Sequence, residues 1–160
     1  FNEKINLERA GGQVFESHQD APAFDLFGQS QHLTVMVSLD AANERNGCLE
    51  VAKVEHCETI LPMNADRTLA QPVVESLTWQ SVETEPGDIV IFNSFLPHRS
   101  GVNQSLQSRR AIYATYAKAC EGDHRAKYFH QKRALFPPDA ERRAGRTYAG
   151  GIFNVGNPIR

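Results

Sequence analysis

Short apolar stretches, each closed within a few residues by glycine, proline, asparagine or serine, recur from Lys4 to Ala117 and leave no room there for a long helix. Lys4 to Leu7 alternates, Gly11-Gly12 is a turn signal, and Val14-Phe15 reads as the second arm of a hairpin that delivers His18. The clearest strand is His32 to Leu39, with Leu33, Val35, Val37 and Leu39 on one face and His32, Thr34, Met36 and Ser38 on the other. One face is core. The other meets water or, in a barrel, lines a ligand cavity. Cys48 to Val51 is a short strand after a turn at Gly47, and His56 to Leu77 is a long loop with room for one helical turn. Trp79 to Thr84 alternates, Glu85-Pro86-Gly87-Asp88 is a tight turn, and Ile89 to Phe92 reads as a buried strand ended by Pro97-His98. Ser100 to Ser108 reads as a hairpin loop with Arg109 to Ala117 as its return strand. Many short strands at this spacing predict a mostly β sandwich or jelly roll. Past Gly122, Arg125 to Leu135 is helix-forming and is stopped by Pro137-Pro138, a short helical C-terminal appendage, while Tyr148 to Arg160 should be irregular.

A chain of 160 residues with 41% apolar and 22% charged residues suits one domain, residues 1–160. Its formal charge of −2 generates no field that would recruit nucleic acid or an anionic membrane, so the expected partner is a small molecule held by local groups. No apolar run approaches the length of a membrane span, and Phe1-Asn2-Glu3-Lys4 lacks signal-peptide character. Cys48, Cys57 and Cys120 are odd in number and widely spaced, which predicts a reducing, cytoplasmic setting rather than a disulfide framework. The chain starts without Met and in mid-strand, as a piece of something longer would.

His18-Gln19-Asp20 carries the chemistry. On an extended segment His18 and Asp20 point to the same side, and His98 from a neighbouring strand would complete a 2-His-1-carboxylate triad with open positions on a non-heme Fe(II). For the tripeptide alone, a chance pair on a solvated strand end is the commoner account. Oxygen activation at such an iron, with O2 as co-substrate, needs electrons. A 2-oxo acid that chelates the metal supplies them and leaves a far carboxylate to be held. Arg109 is the candidate partner, because its planar fork matches a carboxylate and never loses its charge, and Ser100 can add a hydroxyl. As a hairpin neighbour of His98, Arg109 would lie about 5 Å away laterally. Alternation places Arg109, Ala111, Tyr113 and Thr115 on one face and Arg110 on the other.

Taken together, His18-Gln19-Asp20, Arg45-Asn46-Gly47-Cys48-Leu49-Glu50-Val51 with His56, and Gly87-Asp88 leading to His98, Ser100 and Arg109 resemble the phytanoyl-CoA dioxygenase family of Fe(II)- and 2-oxoglutarate-dependent oxygenases. The resemblance implies a double-stranded β-helix (jelly roll, cupin-like), iron on His18, Asp20 and His98, and 2-oxoglutarate on Arg109 and Ser100. It also puts Asn6 and Thr34 near the co-substrate. Family members carry a longer, mostly helical N-terminal part that this sequence lacks. A narrower likeness is to the branch that hydroxylates small aminophosphonates such as 2-aminoethylphosphonate. It rests on Lys4-Ile5-Asn6, His18 to Phe24, Pro97 to Gly101, Lys132-Arg133, Phe136 to Asp139 and Gly156-Asn157-Pro158. There Lys4, Asn6 and His32 could serve a phosphonate, although a solvated lysine and a hydrogen-bonded core histidine are at least as common. His56 reads as structural, fixing the loop over the site mouth, His124 and His130 as surface, Trp79 as core, and Cys57 as no nucleophile. The rivals to a hydroxylase are a non-catalytic metal- or ligand-binding barrel and a cupin-type metalloenzyme that does not use 2-oxoglutarate.

Overall fold

The computed structural model describes residues 2–146 and 148, except 13, 25, 26 and 29. Among these lie eight strands: β1 (Asn2–Glu8), β2 (Phe15–His18), β3 (His32–Ser38), β4 (Leu49–Ala52), β5 (Trp79–Val82), β6 (Ile89–Asn93), β7 (His98–Ser100) and β8 (Arg109–Ala117). They form two antiparallel four-stranded sheets, ordered β1-β8-β3-β6 and β2-β7-β4-β5. Of strands consecutive in the chain, only β4 and β5 pair. Every other connection crosses from one sheet to the other, which is the winding of a jelly roll.

Two sequence-based expectations are corrected by this winding. β1 and β2 are not a hairpin, and neither are β7 and β8, since each pair is split between the sheets. The turns are where the sequence puts them, but polar loops of this kind serve a hairpin and a crossover equally well. Asn103 fixes the second crossover. Its side-chain amide donates to the carbonyls of Glu8 (3.0 Å) and Gln107 (2.8 Å), and its backbone carbonyl accepts from Gly11 N (2.7 Å).

The first sheet buries its polar face. On β3, His32, Thr34, Met36 and Ser38 point inward, whereas Leu33 is 51% exposed on the outer face. β6 likewise turns Ile89 and Ile91 outward, so only Phe92 of the expected buried strand is buried. The outer row runs through the register as Ile5, Ile112, Val37 and Ile89. Between the sheets, Met36, Leu49, Phe92 and Ala111 form the core, flanked by Val51, Val82, Val90, Leu96 and Tyr113. Trp79 is half-buried rather than core, with the Arg99 guanidinium 4.2 Å over its ring.

The long loop contains one short helix, α1 (Gln71–Ser76), and the appendage contains α2 (Arg125–Leu135), with the bounds the sequence predicts. Tyr128 of α2 packs on Phe24 and Phe27, closing one end of the sandwich. Lys132 lies one turn further along the same face. His130 is exposed and His124 half-buried. No helix among the described residues is long and apolar enough to cross a membrane. Apart from Tyr148, the expected irregular tail and the Gly156-Asn157-Pro158 likeness lie outside the described residues.

Candidate metal centre and adjoining cavity

His18 and His98 are direct cross-strand partners on β2 and β7, so their rings enter the interior side by side, with centroids 4.2 Å apart. Asp20 reaches them by a different route from the one the alternation argument supposes. β2 ends at His18, and Asp20, at φ −76° and ψ −28°, already opens a 3-10 turn through Ala21–Ala23. Pro22 at the start of that turn forbids further strand pairing. The turn brings Asp20 Oδ1 to 3.7 Å from His18 Nε2 and 3.8 Å from His98 Nε2. One donor atom from each of the three residues lies within 4.8 Å of the others.

The surroundings select the donor atoms. His18 Nδ1 is 2.6 Å from the Glu16 carbonyl and His98 Nδ1 is 2.9 Å from the Leu96 carbonyl. A carbonyl only accepts, so each Nδ1 carries the proton and each Nε2 lone pair faces the site. Thr34 Oγ1 donates to Asp20 Oδ2 at 3.1 Å, which leaves Oδ1 for an ion. Burial, then the neighbouring His98, push the His18 imidazole down to about 3, so it stays neutral. Burial alone would raise Asp20, but the His98 and His18 imidazoles, Lys4 and the Thr34 hydroxyl hold it below the usual carboxylate range. Two imidazoles held by their Nδ1 atoms and one carboxylate fit a first-row divalent ion.

From this cluster a cavity of about 230 Å³ runs between the sheets. At its far end Arg109 is 5% exposed. Its Nε donates to the Asn46 carbonyl (3.2 Å) and its Nη2 to the Gly47 carbonyl (2.6 Å). These bonds hold the guanidinium rigid, and among the described residues no hydrogen bond engages Nη1. The Gly47 turn is strict: at φ +72° it is left-handed, and a Cβ there would sit 2.4 Å from the Gly101 carbonyl oxygen. Ser100 Oγ lines the cavity, is buried and has no hydrogen-bond partner among the described residues. Arg109 and Ser100 thus face one cavity from opposite sheets, not from adjacent strands as a hairpin would have placed them. Arg110 points outward and pairs with Asp40.

Lys4, Asn6 and Thr34 also line the cavity, Lys4 with its Nζ 5.3 Å from the centre of the Tyr113 ring. His32 does not. It stacks beneath Phe24 with centroids 4.3 Å apart and is absent from the cavity wall, which is the structural role weighed against ligand binding. His56 is exposed and its side chain makes no hydrogen bond among the described residues; the loop it was expected to hold is tied down by Gln19. Buried between the two candidate ligands, Gln19 donates from Nε2 to the carbonyls of Phe95 (2.5 Å) and Thr59 (3.1 Å) and accepts at Oε1 from Leu61 N (2.8 Å). Its position between His18 and Asp20, pointing the other way, was the available signal. Glu8, Phe15, Tyr113, Tyr128, Lys132 and Phe136 complete much of the wall. Tyr128 and Lys132, four apart on α2, could have been paired from helical spacing.

The phytanoyl-CoA dioxygenase (PhyH) family model matches residues 3–111. The chain belongs to the phytanoyl-CoA dioxygenase family. A 2-aminoethylphosphonate dioxygenase of the uncultured bacterium HF130_AEPn_1 is 49% identical over 162 residues, covering 100% of this chain and 62% of the relative. A methylphosphonate hydroxylase of Gimesia maris is 36% identical over 136 residues, covering 85% of this chain and 52% of the relative. The chain therefore spans about half to two thirds of the length of these curated family members. Among solved structures, EctD from S. alaskensis with 2-oxoglutarate and 5-hydroxyectoine superposes with TM-score 0.61 at 17% identity, over 74% of this chain and 44% of that one. AviO1 from Streptomyces viridochromogenes does so with TM-score 0.60 at 25% identity, over 76% and 51%.

Proposed function

We propose that this chain carries the catalytic barrel of an Fe(II)- and 2-oxoglutarate-dependent hydroxylase acting on a small organophosphonate of the 2-aminoethylphosphonate type. His18, Asp20 and His98 hold the metal, and Arg109 with Ser100 holds the far carboxylate of 2-oxoglutarate. The observation that carries the reading is the pairing of two ends. Three donor atoms with their back sides already satisfied converge at one end of the cavity, and a rigid buried guanidinium with an unpartnered hydroxyl waits at the other. Facing sheets lie about 10 Å apart, a span a five-carbon diacid bridges. Iron and the 2-oxo acid together supply the oxidant: one O2 gives hydroxylated substrate, succinate and carbon dioxide. The protein's share is to hold the acid at both ends, orient Asp20 through Thr34 and keep bulk water out.

The phosphonate assignment rests on the family members above and on the cations of the wall. Lys4 and Lys132 carry positive charge into the cavity beside the Asn6 amide, and the Tyr113, Tyr128 and Phe136 rings supply faces for an ammonium end. The test is anaerobic addition of Fe(II) and 2-oxoglutarate, followed by oxygen and 2-aminoethylphosphonate with succinate measured. A charge-transfer band without substrate-dependent succinate would favour a non-catalytic binding barrel. Arg109→Ala should weaken 2-oxoglutarate binding by at least tenfold; undiminished activity there would favour metal chemistry without the 2-oxo acid.

A further inference from the structure

The far end of the cavity holds an acid that the proposed function does not use. Glu8 closes β1 directly opposite Arg109 in the β1–β8 register, so both side chains leave the sheet on the same face, with Cβ atoms about 5 Å apart. Glu8 is 6% exposed and lines the same cavity as Arg109 and Ser100. Among the described residues no ion pair within 4.0 Å joins its carboxylate to Arg109, whose committed hydrogens go to the Asn46 and Gly47 carbonyls. A diacid whose far carboxylate docks on Arg109 and Ser100 therefore arrives beside a second carboxyl group. Two carboxylates cannot share one guanidinium in a dry site at low cost, so one of them must hold a proton. The diacid is bound at its other end to the metal; Glu8 is the group free to take it up.

We propose that Glu8 is a third ligand of the co-substrate's far carboxylate, taking up one proton as 2-oxoglutarate binds and donating it as a hydrogen bond. This rests on the reading of Arg109 and Ser100 given above. The balance is simple: the carboxylate of Glu8 gains a proton from solvent, and the carboxylate of the diacid accepts the O–H. Burial already raises Glu8 above the usual carboxylate range against the opposing pull of Arg109 and Lys4, and an incoming anion raises it further. Of the other ionisable groups along this wall, only Lys132 could also take up a proton. Arg109 is permanently charged. Tyr113 is pushed up to about 12 by burial and stays neutral. Lys4 lies on the same strand, and Lys132 of α2, lowered by burial and by the neighbouring Lys4, lies along the wall, so any proton it contributes is the part that survives in Glu8→Gln. Arg99 is paired with Glu50. His18, Asp20 and His98 sit at the metal end. Glu8 thus makes the site selective for a ligand whose far end is an acceptor, and makes its grip stronger as pH falls.

The experiment is calorimetric titration of the Mn(II)-loaded protein with 2-oxoglutarate under nitrogen at pH 7, in PIPES and in Tris, whose ionisation enthalpies differ. Kd is then followed from pH 6 to 8.5. Wild type should take up between about half and one proton per diacid bound, and Kd should rise by up to about tenfold per pH unit on the alkaline side. Glu8→Gln keeps a donor but cannot titrate; it should take up less than wild type does and show a flatter Kd across that range. Wild-type binding without proton uptake, or uptake that survives undiminished in Glu8→Gln, overturns the proposal while leaving the 2-oxoglutarate site intact. If wild type binds no 2-oxoglutarate at all, the underlying functional reading falls and this one falls with it.

Discussion

Replacing Gln19 by Leu tests whether the candidate metal strand is also the anchor of the long loop. The side chain is 1% exposed, and its amide has no freedom to flip: Nε2 faces two carbonyls that can only accept, Oε1 faces an N–H that can only donate. Leucine fills nearly the same volume but strands the Phe95 and Thr59 carbonyls and the Leu61 amide. Each buried group left unpaired costs about 1–3 kcal/mol. Thr59 is exposed and recovers water, so the sum falls at about 2–4 kcal/mol. For a chain of this length that lowers Tm by about 5–12 °C, read by calorimetry of the metal-free protein. Limited proteolysis should show new cleavage between residues 53 and 70. Because Gln19 stands between His18 and Asp20 and grips Phe95 three residues before His98, Co(II) affinity should also weaken by about tenfold. Gln19→Glu is harsher, since it turns an oxygen toward two carbonyl oxygens. A Tm within 2 °C of wild type and an unchanged digest for Gln19→Leu would refute the reasoning.

Gly47→Ala forces a left-handed backbone on alanine and drives its Cβ to 2.4 Å from the Gly101 carbonyl oxygen; we expect a loss of about 1–3 kcal/mol in urea unfolding and weaker 2-oxoglutarate binding, because the Gly47 carbonyl holds Arg109. Thr34→Val removes only the hydroxyl on Asp20 Oδ2, so the fold should survive while Co(II) affinity falls by about tenfold; unchanged affinity would show that Asp20 needs no such support. His32 is lowered from 6.5 to about 4 by burial, so between those pH values the unfolded chain binds the extra proton. The stability it contributes is full above pH 6.5 and is lost as pH falls toward 4, by roughly 1–3 kcal/mol. His32→Phe, which keeps the stack on Phe24, should therefore lose less stability than wild type between pH 7 and 4.5, and parallel urea midpoints would contradict this.

What the sequence could and could not reveal divides along one physical line. The period of 2 identified which residues of β3 and β8 share a face, and the chemistry proposed for iron and a diacid pointed to His18, Asp20, His98 and Arg109, which the fold does gather round one cavity. A period says nothing about which face looks inward, and turn composition says nothing about which sheet receives the next strand. Both hairpin assignments failed for the second reason and the buried reading of Ile89 to Phe92 for the first. Gln19 and Glu8 were passed over because an amide or acid on a strand reads as solvent-facing until something makes the inner face polar.

That something was already in hand. Putting Arg109 inside forces Ala111, Tyr113 and Thr115 inside and Ile112, Ala114 and Tyr116 outside, which is the reverse of an ordinary sandwich strand. Register then carries the inversion across the sheet without further assumption. Ile112 faces Ile5 on one side and Val37 on the other, and Val37 faces Ile89, so all four lie on the outer face together. On β1 the alternate row of Lys4, Asn6 and Glu8 must then turn inward, opposite Tyr113, Ala111 and Arg109. A single guanidinium placed for its chemistry thus predicts a sheet whose polar side encloses a cavity. It also fixes Glu8 as the acid that has to share that cavity with any carboxylate Arg109 binds.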